Sequence, residues 1–240
     1  VAFAQDDLRA SGTNINGTQI QMIIDQFGED YDEVVRLFGT PSDVDGDGKI
    51  AFLFTHLVDD VGLGGFYNAE SVLPVEDGGG GDLTDLVFLS PTQGLSTYRS
   101  LLVHEFQHLV SFNQHVLVRS GEAEVSWLNE GLSHLSEALV DDGFVTGGVA
   151  RLVDAFLAEP WATGLGGDAG FDSRKRGASY LFVRSLVDRL GEGVVRRLVQ
   201  TGLADRDNVE EAAGERFEDL LASWRHSCSP VATASSATGV

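Results

Sequence analysis

The chain has 240 residues, with 37 acidic against 16 basic side chains, a formal net charge of −21, 42% hydrophobic and 9% aromatic residues. The apolar share is ordinary for a chain that buries a core. The charge argues against nucleic acid and anionic membrane surfaces as partners, since both select clusters of Lys and Arg, and no apolar run approaches the length of a membrane span. An acidic surface keeps a protein in solution; salt adaptation or bound cations would produce the same excess. Lys49 and Lys175 are the only lysines and Cys228 the only cysteine, so no intramolecular disulfide can form and the redox compartment stays open. No basic and apolar leader follows Val1, the expectation being a chain from which any signal peptide is absent.

In chain order, Ile20, Ile23, Ile24, Phe27, Val34, Val35 and Phe38 recur at helical spacing and predict a helix over 18–38. The segment PSDVDGDGKIAFLFTHLVDD follows. Its apolar run, Ile50 to Leu57, reads as a buried strand. Its start, with Asp43, Asp45 and Asp47 at alternate positions and glycines between, matches the first half of a calcium loop. The twelfth position from Asp43 is Phe54 rather than Glu, so it is not an EF-hand. Either a calcium site of another kind, closed by Asp59 or Asp60, or an Asp/Gly turn before a strand fits these residues. EDGGGGDLTD reads as a loop and Leu86–Leu89 as a second strand. From Ser96 the pattern is helical, with helices expected at about 97–114, 125–140, 177–191 and 208–226, and 229–240 as a low-complexity tail that frays. About the first 95 residues therefore mix strand and helix, and the remainder is helical.

VHEFQHLVSFNQH sits at that junction. On a helix, His104 and His108 project from one face; two imidazoles so spaced can bind one zinc, with Glu105 beside it to act on a water. The rival is a helix that merely carries histidines. Leu101, Leu102, Val103, Phe106, Leu109, Val110 and Phe112 make this helix apolar on most sides, and buried polar groups need partners, which a metal supplies. His115 falls one residue late for H-E-x-x-H-x-x-G-x-x-H, and Ser111 stands where the turning glycine belongs; it reads as a helix-end residue favoured by the dipole. A carboxylate on the next helix, in VSWLNEGLSHLSEAL, could complete a His₂Glu site with one position open.

VHEFQHLVSF followed by WLNEGLSHLSE resembles the gluzincin type of zinc metallopeptidase, and the order SDVDGDGKIAFLF, HEFQH, WLNEGLSHLSE, RGASYLFVRSLVDRLG is similar to the hyicolysin family of bacterial secreted peptidases over residues 42–191. The resemblance implies an α+β, zincin-like fold: one catalytic domain over 1–228, with a small mixed-sheet lobe, an active-site helix and a mainly helical second lobe. It implies zinc on His104, His108 and Glu130, the last 130 − 108 = 22 positions beyond the second His, and Glu105 as general base. The activity implied is zinc endopeptidase on protein or peptide substrates, secreted or at the periplasm or cell surface, which the acidic, lysine-poor chain suits. Many gluzincins place an Asp four residues after the ligand Glu; here it is His134, which fits either a ligand-orienting or oxyanion-bonding role or a plain polar contact, and Glu137, three further on, fits either an orienting carboxylate or a surface or cap-like one. Relatives often have Tyr before the Gly of GASYLF; here it is Arg176. Tyr180, Arg176 and His134 are therefore the candidates for stabilising the transition state, with Tyr180 also fitting a core role. An aminopeptidase is the alternative, though the G-x-M-E-N strand of those enzymes is missing. A metal-stabilised binding module without catalysis is another, though it would tend to have lost Glu105. Hydrolysis of a non-peptide amide stays open.

Overall fold

A computed structural model of the protein describes residues 2–4, 15–140, 144, 148–167, 169 and 172–228; the expected tail, 229–240, lies outside the described residues. The first long helix, α1 (Gly17–Phe38), begins where the sequence supplies a reciprocal cap. Asn16 Oδ1 accepts from the backbone N–H of Thr18 and Gln19, both at 3.1 Å, and Gln19 Oε1 accepts from the Asn16 N–H at 2.8 Å. Its buried face carries Ile23, Phe27, Val34, Leu37 and Phe38, with Asp30 among them. Arg99 meets that aspartate with two hydrogen bonds of 2.7 Å, the bidentate geometry that makes a buried carboxylate tolerable.

Among the described residues four strands form a mixed sheet: β1 (Ala2–Ala4), β2 (Ala51–Phe54), β3 (Gly65–Tyr67) and β4 (Leu86–Leu89), in the order β1-β2-β4-β3. β1, β2 and β4 run parallel, and β3 is the antiparallel edge beside β4. Phe52, Phe54, Val87 and Leu89 alternate into the core, as a period of two requires. The predicted strand from Ile50 to Leu57 stops early. The Thr55 N–H still donates to Leu89 O at 2.9 Å, but the chain then turns into α2 (Leu57–Asp60), with His56 Nδ1 2.8 Å from Asp59 Oδ2.

Helix α3 (Leu95–Phe112) is buried on nearly all sides, the mark of a helix at the centre of a fold. It packs between α1 and α4 (Ser126–Leu139) and runs beside β3. A π-helical turn, Asn113–Leu117, prolongs it. Then come α5 (Val149–Ala158), α6 (Ser173–Leu190), α7 (Gly193–Val199), α8 (Asp205–Ala213) and α9 (Phe217–Cys228). The arrangement is mixed α and β with helical bulk, and one cluster of buried hydrophobic residues runs from Ile15 to Trp224. β1, α2, β3, α5 and α7 had no counterpart in the predicted elements. α6 starts four residues earlier than expected because Asp172 caps it, accepting from the backbone N–H of Arg174 and Lys175. The single helix expected over 208–226 is two, because Gly214 closes α8 in the left-handed conformation (φ 70°).

α5 and α6 meet backbone to backbone at Gly177, where an added Cβ would lie 2.0 Å from Leu152 O. Gly177→Ala should therefore force the helices apart and destabilise the protein by at least about 1–3 kcal/mol. Denaturant melts would show it, and an unchanged midpoint would contradict the packing.

Candidate metal centre

The site is built where α3 crosses α4. His104 and His108 stand one turn apart on α3; Glu130 and His134 stand one turn apart on α4, with Glu137 a further turn on. Glu130 Oε2 lies 3.5 Å from His104 Nε2, and Glu130 Oε1 lies 3.9 Å from His108 Nε2. One donor atom from each of His104, His108 and Glu130 lies within 4.8 Å of the other two. These separations are too long for good hydrogen bonds. They approach the spacing of about 3.3 Å expected between two ligands of one tetrahedral ion bound at ~2.0–2.1 Å. Glu130 Oε2 is buried without a hydrogen-bond partner, as is His134 Nε2, 3.7 Å from it. The donor set, two imidazoles and a carboxylate, suits zinc, and such an ion would satisfy the orphaned carboxylate oxygen.

The surrounding hydrogen bonds orient the imidazoles. Glu137 Oε1 lies 2.7 Å from Nδ1 of both His104 and His134, all three side chains buried. A carboxylate there accepts Nδ1–H from each ring, leaving the His104 Nε2 lone pair toward the site. Ser133 Oγ donates to Gln107 Oε1, so its lone pairs face the Nδ1 of His108, 3.1 Å away, and that ring is turned the same way. Arg176, from the first turn of α6, reaches Glu130 Oε1 with Nη2 at 3.1 Å.

Three carboxylates and three imidazoles thus share one buried volume, and their proton affinities respond. Burial opposes charge on His104, yet the neighbouring carboxylates of Glu130 and Glu137, the latter hydrogen-bonded to it, win and lift its pKa to about 10. Burial, then the charge of His104, lowers His108 to about 4. Burial raises Glu105 to about 7, and the same cost on Glu130 is outweighed by His104, which holds that carboxyl far below the usual range. For Glu137 too, burial is overcome by its two imidazole partners. Without a metal, a proton is drawn onto a buried imidazole: the pocket demands positive charge.

The centre opens into a cleft of about 850 Å³, walled by α3, α4, the strand β3 and the start of α5 and α6. Gly65 lets β3 approach Glu105 closely, since a Cβ there would come within 3.1 Å of Glu105 Cγ. Of the residues expected at the site, His104, Glu105, His108, Glu130 and His134 all line this cleft, as does Arg176. Tyr180 does not. It lies a turn further along α6 than Arg176, about 6 Å away, buried with its ring 6.0 Å from that of Phe144. His115 is no helix-end cation. It is fully buried in the π-helical turn beside the backbone of Leu203, Leu198 and Glu122, and burial lowers its pKa, leaving no charge for a dipole to favour. Asp43, Asp45 and Asp47 do come within 4.8 Å of one another, but they are exposed, bond their own loop's N–H groups, and Asp47 pairs with Lys49. Asp59, one residue expected to close that loop, is instead held by His56, Ser90 and Thr92. Asn129, beside Glu130, and Arg151 also line the cleft; Asn129 lay within W-L-N-E-G, whereas nothing in the sequence marked Arg151.

No family model matches the chain. Over 136 residues it is 29% identical to the neutral metalloprotease ShpI of Staphylococcus hyicus, a match covering 51% of this chain and 31% of that protein. The chain thus matches about a third of that relative's length.

If Glu137 fixes the ring of His104, then Glu137→Gln should weaken zinc binding about 10- to 100-fold. Competition against a chromophoric chelator reads this directly, and wild-type affinity in the variant would remove Glu137 from that role.

Proposed function

We propose that this protein is a zinc-dependent endopeptidase of the gluzincin type, related to the hyicolysin family. The observation that carries the reading is the convergence of His104, His108 and Glu130 donor atoms beside a buried Glu105 in an open cleft. The similarity to a neutral metalloprotease supports metal-dependent peptide hydrolysis. The likeness of W-L-N-E-G and the sequence order to gluzincins supports the narrower assignment.

Zinc bound by these residues would supply Lewis acidity, acidifying water and polarising a carbonyl oxygen. Glu105 follows the first ligand on α3 and faces the same cleft. It takes a proton from the attacking water as the oxygen bonds to the carbonyl carbon. It then returns that proton to the amide nitrogen as the C–N bond breaks, giving a carboxylic acid and an amine, which in neutral water become carboxylate and ammonium. Glu137 and Ser133 hold the two imidazoles in the required orientation. Arg176 brings positive charge to the Glu130 side of the cleft, where charge on the carbonyl oxygen needs compensation. His134, its Nδ1 committed to Glu137, braces the centre from α4, and Tyr180 stays in the core.

Internal cleavage is favoured over removal of N-terminal residues because the G-x-M-E-N segment is missing: Met22, the only methionine, is exposed on α1 and lines no part of the cleft. Among the described residues no helix is long and apolar enough to cross a membrane. Secretion belongs to the same reading, from the family resemblance.

Glu105→Gln removes the proton carrier while keeping its shape. Hydrolysis of an unfolded protein substrate should fall by at least about 10²–10⁴-fold with bound zinc unchanged. Substantial residual turnover at full zinc occupancy would end the general-base assignment.

A further inference from the structure

The cleft carries more charge than its chemistry uses. Glu105, Glu124, Glu130 and Glu137 line it, against Arg151 and Arg176. With a divalent cation present, Glu105, Glu130 and Glu137 are matched by that ion and by Arg176, which is bonded to Glu130. Glu124 is spent within the protein: its carboxylate accepts from the backbone N–H of Val125 and Asp205, both at 2.8 Å, and from Asn208 Nδ2 at 2.5 Å. Arg151 is left over. It is exposed, and among the described residues it makes no ion pair or hydrogen bond.

Its position is set by the helix that carries it. Gly148, Arg151, Leu152 and Ala155 follow the spacing of one helical face and form the α5 wall of the cleft, beside Ser173 and Arg176 at the start of α6. Gly177 lets α5 and α6 meet backbone to backbone, so this wall is firmly seated. On a chain of net charge −21, most of the surface repels an acidic peptide. The α5 wall instead offers an unmatched guanidinium to whatever lies in the cleft.

We propose that Arg151 reads substrate charge: the cleft selects peptides with an acidic side chain near the scissile bond, on the side that faces α5. The inference rests on the peptidase reading above and concerns which peptides the same site prefers. Arg151 touches substrate without taking part in bond cleavage, so its effect falls on discrimination between substrates.

The test uses a set of blocked peptides identical except for Glu, Gln or Lys at each position around the cleavage point, digested by the zinc-loaded protein. At low salt, kcat/KM should favour Glu over Gln at one position by about threefold to fivefold, the worth of a partly exposed ion pair. The preference should vanish near 1 M NaCl, where charges are screened beyond about 3 Å. Arg151→Lys should keep the preference, and Arg151→Glu should turn it toward Lys. The wild-type salt series needs no variant, and melting curves confirm that the variants fold. Cleavage without charge preference, or a preference that Arg151→Glu leaves unmoved, overturns this inference alone. Failure to cleave any peptide at full zinc occupancy overturns it together with the peptidase reading.

Discussion

Three carboxylates and three imidazoles occupy one largely water-excluded volume between two helices, and most of the structure follows from making that arrangement tolerable. Charged groups lose several kcal/mol each when stripped of water unless opposite charge and hydrogen bonds replace it. Glu105, His104, His134 and Glu137 are each more than nine-tenths buried. The hydrogen bonds of Glu137 to His104 and His134 and the guanidinium of Arg176 compensate part of that cost. What remains uncompensated is an oxygen of Glu130 and the space before it, bounded by two imidazoles. A divalent cation there would satisfy the charge balance and the orphaned oxygen together, and the same ion is what the proposed chemistry requires.

The rest of the fold holds this crossing in place. α3 can be central because its surface is apolar almost all round, with Phe106 packed against the rings of Phe27 and Tyr31 from α1. α4 is anchored at its start by Trp127, whose Nε1–H bonds Asp205 Oδ1 at 2.8 Å, tying the helix that carries Glu130 to α8. On the opposite side the edge strand β3 closes on Glu105 because Gly65 has no side chain to prevent it. Small residues at these approaches, rather than large complementary surfaces, decide how near each wall stands to the centre.

How much of this was legible depended on the range of the interaction concerned. His104 and His108 could be paired from sequence because four helical residues fix their relation without help from the rest of the chain. Glu130 needed a recognised motif, since nothing local says that α4 crosses α3 at that carboxylate. α1 announced itself by periodicity, and β2 and β4 as short apolar runs. β3, three residues opened by a glycine, had too little pattern to see and exists because β4 lies beside it. Tyr180 and Arg176 share a face of α6, and only the helix's placement, set by its contact at Gly177, decides that Arg176 reaches the cleft and Tyr180 packs in the core. His115 misled for the same reason: its burial is made by segments more than 80 positions away, around Leu198 and Leu203. Glu137 could be singled out as an orienting carboxylate, but its simultaneous hold on two imidazoles is a property of the crossing.

The most direct test of the centre is zinc K-edge X-ray absorption on the protein loaded with one equivalent of the metal, compared with Glu130→Gln. The account predicts a shell of nitrogen and oxygen at about 2.0–2.1 Å with outer-shell scattering from two imidazoles and no sulfur. It also predicts that replacing Glu130 alters that shell. A hydrated, six-coordinate spectrum lacking imidazole scattering, or a spectrum identical in the Glu130 variant, would contradict a metal held jointly by α3 and α4.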